Sequence, residues 1–292
     1  MVETAGGGTE ARTTNRLVPS ESAPIRVATA TDRRYLPYAA AMARSLAVHR
    51  DPATSRVELT VLCTGVSAGD RRKLESVADG VTVRWFSIDA DQYRRWGLTP
   101  DPQVLAPQYF RCQLARVYPP DTDRVIYIDA DTLVLTDLTP LWRWPLAGAP
   151  VAAAGDLMSV IKDAISHWQE LGLDGDAPYF NSGVMVIDLD RWRREKIGDR
   201  VLHRCQLDRH RLLIRDRWPQ YDQYGFNVVL QHRWTRLPER WNHFPERPCA
   251  DPGIVHFLGD TKPGAPRTRP EFTRLFHEFV DATPWAGWRP YA

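Results

Sequence analysis

At 292 residues, with 43% hydrophobic and 25% charged residues, the chain has apolar material for one large α/β domain or two small ones. A formal net charge of +2 leaves no electrostatic footprint for nucleic acid, and the abundant arginines are interleaved with acids, as in residues 191–196. No apolar run approaches the roughly 20 residues of a membrane helix, and the N-terminus has neither the basic region nor the apolar stretch of a signal peptide.

Residues 1–23, rich in Gly, Thr, Ser and charge, read as a disordered leader. From Ile25 strands and helices alternate. Ile25–Ala30 is a short apolar strand, and Leu36, Ala39, Ala40, Ala43, Leu46 and Ala47 recur at helical spacing within residues 35–49. Val57–Cys63 predicts a second strand, residues 67–77 a charged helix and Val81–Ile88 a third strand. Pro107–Val117 predicts a helix stopped by Pro119 and Pro120. The run 125–135 would read as one buried strand but for Asp129 and Asp131, so the fourth strand is Val125–Ile128, running into the two acids. Pro150–Ala154 and Val184–Ile187 are further strands around a helical or loop stretch, 158–171. An arginine-rich helix is expected over 189–217, a polar helix over 222–231, a strand at Gly253–Leu258 and an amphipathic helix at Phe272–Val280.

Strands alternating with helices predict an α/β fold with a mainly parallel sheet covered on both faces. The absence of a repeat or a true linker makes residues 24–265 one domain with a decorated C-terminal third. Residues 266–292 form a helical tail that packs on the domain or contacts acceptor or membrane. That tail holds only Arg274 and Arg289 from residue 271 onward, too few for a strong lipid anchor. Cys63, Cys112, Cys205 and Cys249 are scattered without a CxxC, which favours reduced thiols and a cytoplasmic protein, with peripheral contact at the inner membrane face as the alternative.

The acids of residues 125–135 carry the first chemical signal. Charged groups are rarely buried unless paired or holding a metal. Two acids spaced by two on a strand project the same way, which suits a hard divalent cation that keeps sites for phosphate oxygens. A pair of structural acids is the alternative. Ligands of such sheets sit beyond the carboxyl ends of the strands, where Asp32 also lies, so all three acids point to one cleft. Asn181, Ser182 and Gly183 precede an apolar strand, and Gly183 would let a ligand approach the backbone. An ordinary turn would look the same. Asp222, Gln223 and Asn227 share one helix, His256 lies inside an apolar strand, and Lys262 occupies a Gly/Pro loop. A capped surface helix and a core histidine are the plainer readings of those segments.

Together, Val27 to Asp32 with Tyr35, Tyr109-Phe110-Arg111, the DxD of Asp129 and Asp131, the FNSG of Phe180 to Gly183, Asp222-Gln223 with Asn227, and the HFxGxxKP of His256 to Pro263 resemble the family 8 glycosyltransferases. These are retaining GT-A enzymes that include glycogenin and lipopolysaccharide galactosyl- and glucosyltransferases. The resemblance covers residues 25–265. A lone DxD occurs by chance, whereas DxD, FNSG, DQ and HFxGxxKP in this order are specific.

The resemblance implies a GT-A fold and transfer of a hexose from a UDP-sugar, UDP-glucose or UDP-galactose, to a hydroxyl acceptor. That acceptor is a natural product, a lipid-linked group or a saccharide. It further implies that Asp129, Asp131 and His256 ligate Mn²⁺, or Mg²⁺ in its place. An imidazole among the carboxylates suits Mn²⁺ better than an all-oxygen Ca²⁺ site. By the same resemblance Ala30, Asp32 and Tyr35 hold uracil and ribose, and Lys262 with the Gly259 backbone closes over the diphosphate. Arg111, Asn181 and Asp156 touch the donor sugar, and Ser182, Gly183 and Asp222 belong to the same donor-binding set. Gln223 would lie beneath the anomeric carbon, opposite the leaving group. An amide is a poor nucleophile, which favours front-face return over a covalent intermediate. Gln223, Asp156 and Lys262 are therefore the catalytic candidates.

Arg34 and Tyr224 depart from the family pattern, Arg34 beside the nucleobase and Tyr224 where it could fill space near Gln223. Two other readings stay open. One is a nucleotidyltransferase on a similar fold, and the other a non-catalytic nucleotide-sugar binder or self-glycosylating protein.

Overall fold

The computed structural model of the chain describes residues 23–53, 56–89, 91–95, 97–98, 106–214 and 218–290, so the expected leader lies outside it but for Ala23. Strand β1 (Ile25–Asp32) is buried along nearly its whole length, as an inner strand covered on both faces must be. Helix α1 (Leu36–His49) starts with Pro37 in its first turn, where no N–H is needed, and buries an alanine-rich face. Strand β2 (Val57–Thr64) follows. Helix α2 (Ala68–Glu75) is capped by the Ser67 hydroxyl, which accepts from the Asp70 N–H. Strand β3 (Val81–Ser87) alternates between half-buried and exposed residues, the pattern of a sheet edge.

After α3 (Asp91–Arg95), the stretch expected as one helix is a 3₁₀ segment, Ala106–Gln113, that continues into the short helix α4 (Leu114–Val117). Strand β4 (Arg124–Ile128) then runs to the two acids. Residues 129–131 turn, closed by the Thr132 hydroxyl donating to the Asp129 carbonyl at 2.9 Å, and β5 (Thr132–Val134) leaves for a second sheet. The turn spares the acids from burial between two sheet faces and redirects the chain toward a partner strand.

Helix α5 (Thr139–Trp142) precedes β6 (Val151–Val160), which runs six residues past the expected Ala154 with register shifts against its partner. Helix α6 (Ile161–Ala164) and turns fill most of the remaining 158–171 stretch. Strand β7 (Pro178–Asp188) is also longer than expected, and it incorporates Asn181, Ser182 and Gly183 rather than leaving them in a turn. The arginine-rich segment breaks into α7 (Leu189–Arg194) and α8 (Ile197–Leu207), separated at Lys196 by a left-handed residue of φ +50°. Arg193 explains part of that richness, because its guanidinium donates to the carbonyls of Tyr118, Pro119, Pro120 and Thr122. A small hairpin, β8 (Leu213–Ile214) with β9 (Trp218–Pro219), leads to α9 (Tyr221–Val229), β10 (Trp234–Arg236), a 3₁₀ turn Glu239–Asn242, β11 (Ile254–His256) and α10 (Pro270–Asp281).

The main sheet has seven strands in the order β10-β6-β7-β4-β1-β2-β3. Strands β3, β2, β1 and β4 are mutually parallel, β10 is parallel to β6, and β7 runs antiparallel to both its neighbours. One apolar core, with Tyr109, Phe110, Trp192 and Phe226, covers one face, and another, with Leu36, Met42, Leu141 and Trp241, covers the other. Helix α10 packs Phe272, Phe276 and Val280 into a third cluster with Tyr38 and Phe257, and Trp288 meets Tyr38 edge-on at 4.8 Å. The four cysteines are unpaired. Among the described residues no helix is long and apolar enough to cross a membrane.

Candidate active site

Strand β11 pairs antiparallel with β5 so that His256 lies opposite Thr132, one residue from Asp131. That register, with the turn at 129–131, brings three side chains from two distant segments together. One ligand atom each from Asp129, Asp131 and His256 falls within 4.8 Å of the others. His256 is buried, and its Nε2 stands 3.5 Å from Asp131 Oδ1 and 3.7 Å from Asp129 Oδ2. Its Nδ1 is hydrogen-bonded to Asn242 Oδ1 at 2.9 Å, the outer partner that metal-bound imidazoles have. The donor set therefore fits a divalent cation.

Lys262 follows the turn Gly259–Thr261, in which Gly259 is exposed at φ +53°. Its ammonium pairs with Asp131 and lies 5.2 and 5.0 Å from the ring centroids of Tyr35 and Tyr38. Burial pushes the Asp131 carboxyl up, but Lys262 and His256 overcome that and hold it well below the usual carboxylate range.

A cleft of about 100 Å³ opens beside these acids, lined by Ala30, Asp32, Tyr35, Arg111, Asp129 and Asp131 among others. Asp32 Oδ1 accepts from the backbone N–H groups of Arg34 and Tyr35, at 2.9 and 3.1 Å, which shapes the corner between β1 and α1. Arg34 is exposed, with its Nε 3.4 Å from Asp32 Oδ2, so it fronts the cleft rather than filling it. Arg111 is 4% exposed and ties the cleft floor together. Its Nη2 stands 3.0 Å from Asp129 Oδ1 and its Nε 2.7 Å from Asp222 Oδ2, while Nη1 donates to the Ser182 carbonyl at 2.6 Å. Burial pushes the Asp222 carboxyl up to about 7 against the pull of Arg111.

The other end of the site is a chain of amides and one carboxylate. Asn181 Nδ2 donates to Asp156 Oδ2 at 2.8 Å, and Gln223 Nε2 donates to the same oxygen at 3.1 Å. Gln223 Oε1 accepts from the Ser182 N–H at 3.0 Å, so both ends of its amide are held. The close approach at Gly183 is made by His256, because a Cβ there would stand 2.6 Å from Nδ1 of the ring. Asn227 serves the scaffold by pairing with both backbone groups of Phe180. Tyr224 does not fill space near Gln223. Successive residues on a helix diverge, and its hydroxyl binds Asp208 and His167 instead.

Ala30, Asp32, Tyr35, Arg111, Asp129 and Asp131 line the cleft, His256 and Lys262 reach its acids, and Asp222, Asn181, Ser182, Gly183, Asp156 and Gln223 support it, whereas Gly259 is exposed on its turn and Tyr224 binds Asp208 and His167. Two contributors were missed. The Tyr127 hydroxyl, inside an apolar run, donates to Asp129 Oδ1 at 3.0 Å. Asn242, at the end of the 3₁₀ turn Glu239–Asn242, is 2% exposed and touches both His256 and Asn181. Only its place among aromatic residues could have hinted at burial. A second cavity, of about 230 Å³, adjoins Asp156 and Asn242 on the side of Trp234, Arg236 and Phe244.

A sequence profile described as Glycosyl transferase family 8 matches residues 26–264. General stress protein A of Bacillus subtilis (strain 168) is 26% identical over 286 residues, covering 89% of this chain and 94% of the relative. Lipopolysaccharide 1,2-glucosyltransferase of Escherichia coli (strain K12) is 28% identical over 171 residues, 53% of this chain but only 48% of that enzyme. The backbone resembles the galactosyltransferase LgtC, solved in complex with donor and acceptor sugar analogues, with a TM-score of 0.71 at 22% identity over 89% of this chain and 96% of that one. The fold is therefore the GT-A fold. With a profile match spanning nearly the whole described domain, the chain belongs to glycosyl transferase family 8 and is a glycosyltransferase.

Proposed function

We propose that the protein transfers a hexose, with retention, from a UDP-sugar to a hydroxyl group, and that Mn²⁺ held by Asp129, Asp131 and His256 is its cofactor. The observation that carries this reading is the convergence of those three ligands between the cleft lined by Ala30, Asp32 and Tyr35 and the amide cluster of Asn181, Asp156 and Gln223. When bound, the cation neutralises the charge that develops on a departing nucleoside diphosphate. In this reading Ala30, Asp32 and Tyr35, which line the cleft, hold uracil and ribose. Lys262, buried among aromatic rings beside Asp131, supplies a second positive charge for the diphosphate. Arg111, Asn181 and Asp156 bind the donor sugar, with Asp222 setting the pose of Arg111.

The held amide of Gln223 supports front-face return of the acceptor hydroxyl. Both ends of that amide are hydrogen-bonded, to Asp156 and to the Ser182 N–H, and an amide is a poor nucleophile for carbon. The relative solved with an acceptor sugar analogue favours a saccharide acceptor, and the unpaired cysteines favour a reducing, cytoplasmic location.

Purified protein incubated with UDP-, GDP- and TDP-sugars, with Mn²⁺ or with EDTA, tests the reading. The expected result is slow, Mn²⁺-dependent nucleoside diphosphate release from one UDP-sugar, lost in Asp131→Ala. Binding or turnover of no nucleotide sugar sinks it.

A further inference from the structure

We infer that Asn242 is a positioning residue that fixes which nitrogen of His256 faces the cation and couples the metal ligands to the sugar end of the cleft. The inference rests on the metal-dependent reading above. A hydrogen bond that can run in only one direction starts the argument. The Gly183 backbone N–H donates to Asn181 Oδ1 at 2.9 Å, and a backbone N–H has no other role. Asn181 Oδ1 is therefore an acceptor, and its Nδ2 end faces the Asp156 carboxylate, which can only accept when ionised. The group of Asn242 that meets Asn181 Oδ1, at 2.9 Å, must then be its NH₂. That leaves Asn242 Oδ1 toward His256, so Nδ1 of the imidazole carries the proton. Nε2 then presents its lone pair to the space between Asp129 and Asp131, the only form in which a histidine ligates a metal there.

The tautomer of His256 is thus set through two side chains, Asn181 and Asn242, by one main-chain N–H of β7. The same side chains run on through Asp156 to Gln223, which returns to the backbone at Ser182. Loss of a cation's ligand geometry and loss of the sugar-binding carboxylate's orientation share a cause in this arrangement. Asn242 is buried, and it contributes no charge of its own. Its two functions can be separated by isosteric replacement. Asn242→Asp keeps an acceptor for His256 Nδ1 but opposes Asn181 Oδ1 with a second acceptor. Asn242→Ala removes both contacts.

The experiment is titration of the full chain with Mn²⁺ alone, followed by the electron paramagnetic resonance signal of free Mn²⁺. Wild type, Asn242→Ala, Asn242→Asp, His256→Ala and the His256→Ala/Asn242→Ala pair are compared, each checked by circular dichroism for folding. Asn242→Ala is expected to weaken Mn²⁺ binding about 10–100-fold, and to add nothing in the His256→Ala background. Asn242→Asp is expected to bind Mn²⁺ within about threefold of wild type while its binding of UDP-sugar falls at least about tenfold. Wild-type Mn²⁺ affinity in Asn242→Ala overturns the inference and leaves the metal reading standing. So does an equal loss whether or not His256 is present. Failure of wild type itself to bind Mn²⁺ overturns both together.

Discussion

Gly183 carries more of the site than its lack of a side chain suggests, because the His256 ring occupies the space a Cβ would take. Gly183→Ala must push the imidazole off its position opposite Asp129 and Asp131, whereas the same change in an ordinary strand is mild. Transfer activity is expected to fall about 100-fold or more, and overpacking against the buried ring is expected to cost about 1–3 kcal/mol of stability as well. Steady-state kinetics beside a thermal melt checks this, and unimpaired turnover contradicts it. The acids at 129 and 131 and the histidine stand out in the sequence because charged or polar groups interrupt apolar segments, whereas Lys262, in a Gly/Pro loop, stands out through the HFxGxxKP resemblance. Asn242 and the Tyr127 hydroxyl did not stand out. An amide in a turn and a tyrosine in a strand are unremarkable until their hydrogen bonds are known.

At the scale of elements, α9 presents Asp222 and Gln223 from a first turn that begins with Tyr221 at φ +44°, a conformation that costs energy for a bulky residue. The helix is held there by close packing on α8. A Cβ on Gly225 would stand 2.6 Å from Cys205 Sγ and 2.9 Å from the Val201 carbonyl oxygen. Gly225→Ala is expected to cost about 1–3 kcal/mol of stability through overpacking and to lower activity by shifting Gln223, read by denaturant melts and kinetics together. A variant as stable and as active as wild type refutes the argument.

The tail is an element of a different kind. Asp281 accepts from the Arg289 guanidinium at 2.7 and 2.8 Å and from the Gly287 N–H at 2.8 Å, which closes the chain back so that Trp288 meets Tyr38. The Arg289 hydrogen bond, with the Gly287 N–H, holds the Asp281 carboxyl at about 2. A depressed acid contributes its stabilisation above the unfolded value of about 3.9 and loses it as pH falls through the folded one. Protection of the amides of residues 283–290 from hydrogen exchange should therefore fall between about pH 4 and pH 2, and should already be reduced at neutral pH in Asp281→Asn. Equal protection in variant and wild type at neutral pH rules the latch out.

For the whole molecule, the cleft joins segments nearly the length of the domain apart, from Asp32 to Lys262, so a ligand spanning it stabilises the entire fold. Saturating Mn²⁺ with UDP, at about 100 times the dissociation constant, should add about 2.7 kcal/mol and raise the melting temperature. EDTA or Asp131→Ala should abolish the rise. An unchanged melting temperature in wild type counts against a donor site that bridges the two halves.

By itself the sequence determined the alternation of strands and helices, the mainly parallel sheet and the ordered set of motifs, because periodicity and residue chemistry are local properties. It did not determine that β5 leaves for a second sheet, the antiparallel course of β7 or the division of the arginine-rich segment at Lys196. Nor could it reveal that Gly183 yields its space to a histidine 73 residues along the chain. Those were decided by tertiary structure, where strand register and close packing choose which distant side chains meet. Buried amides must find partners wherever the fold puts them.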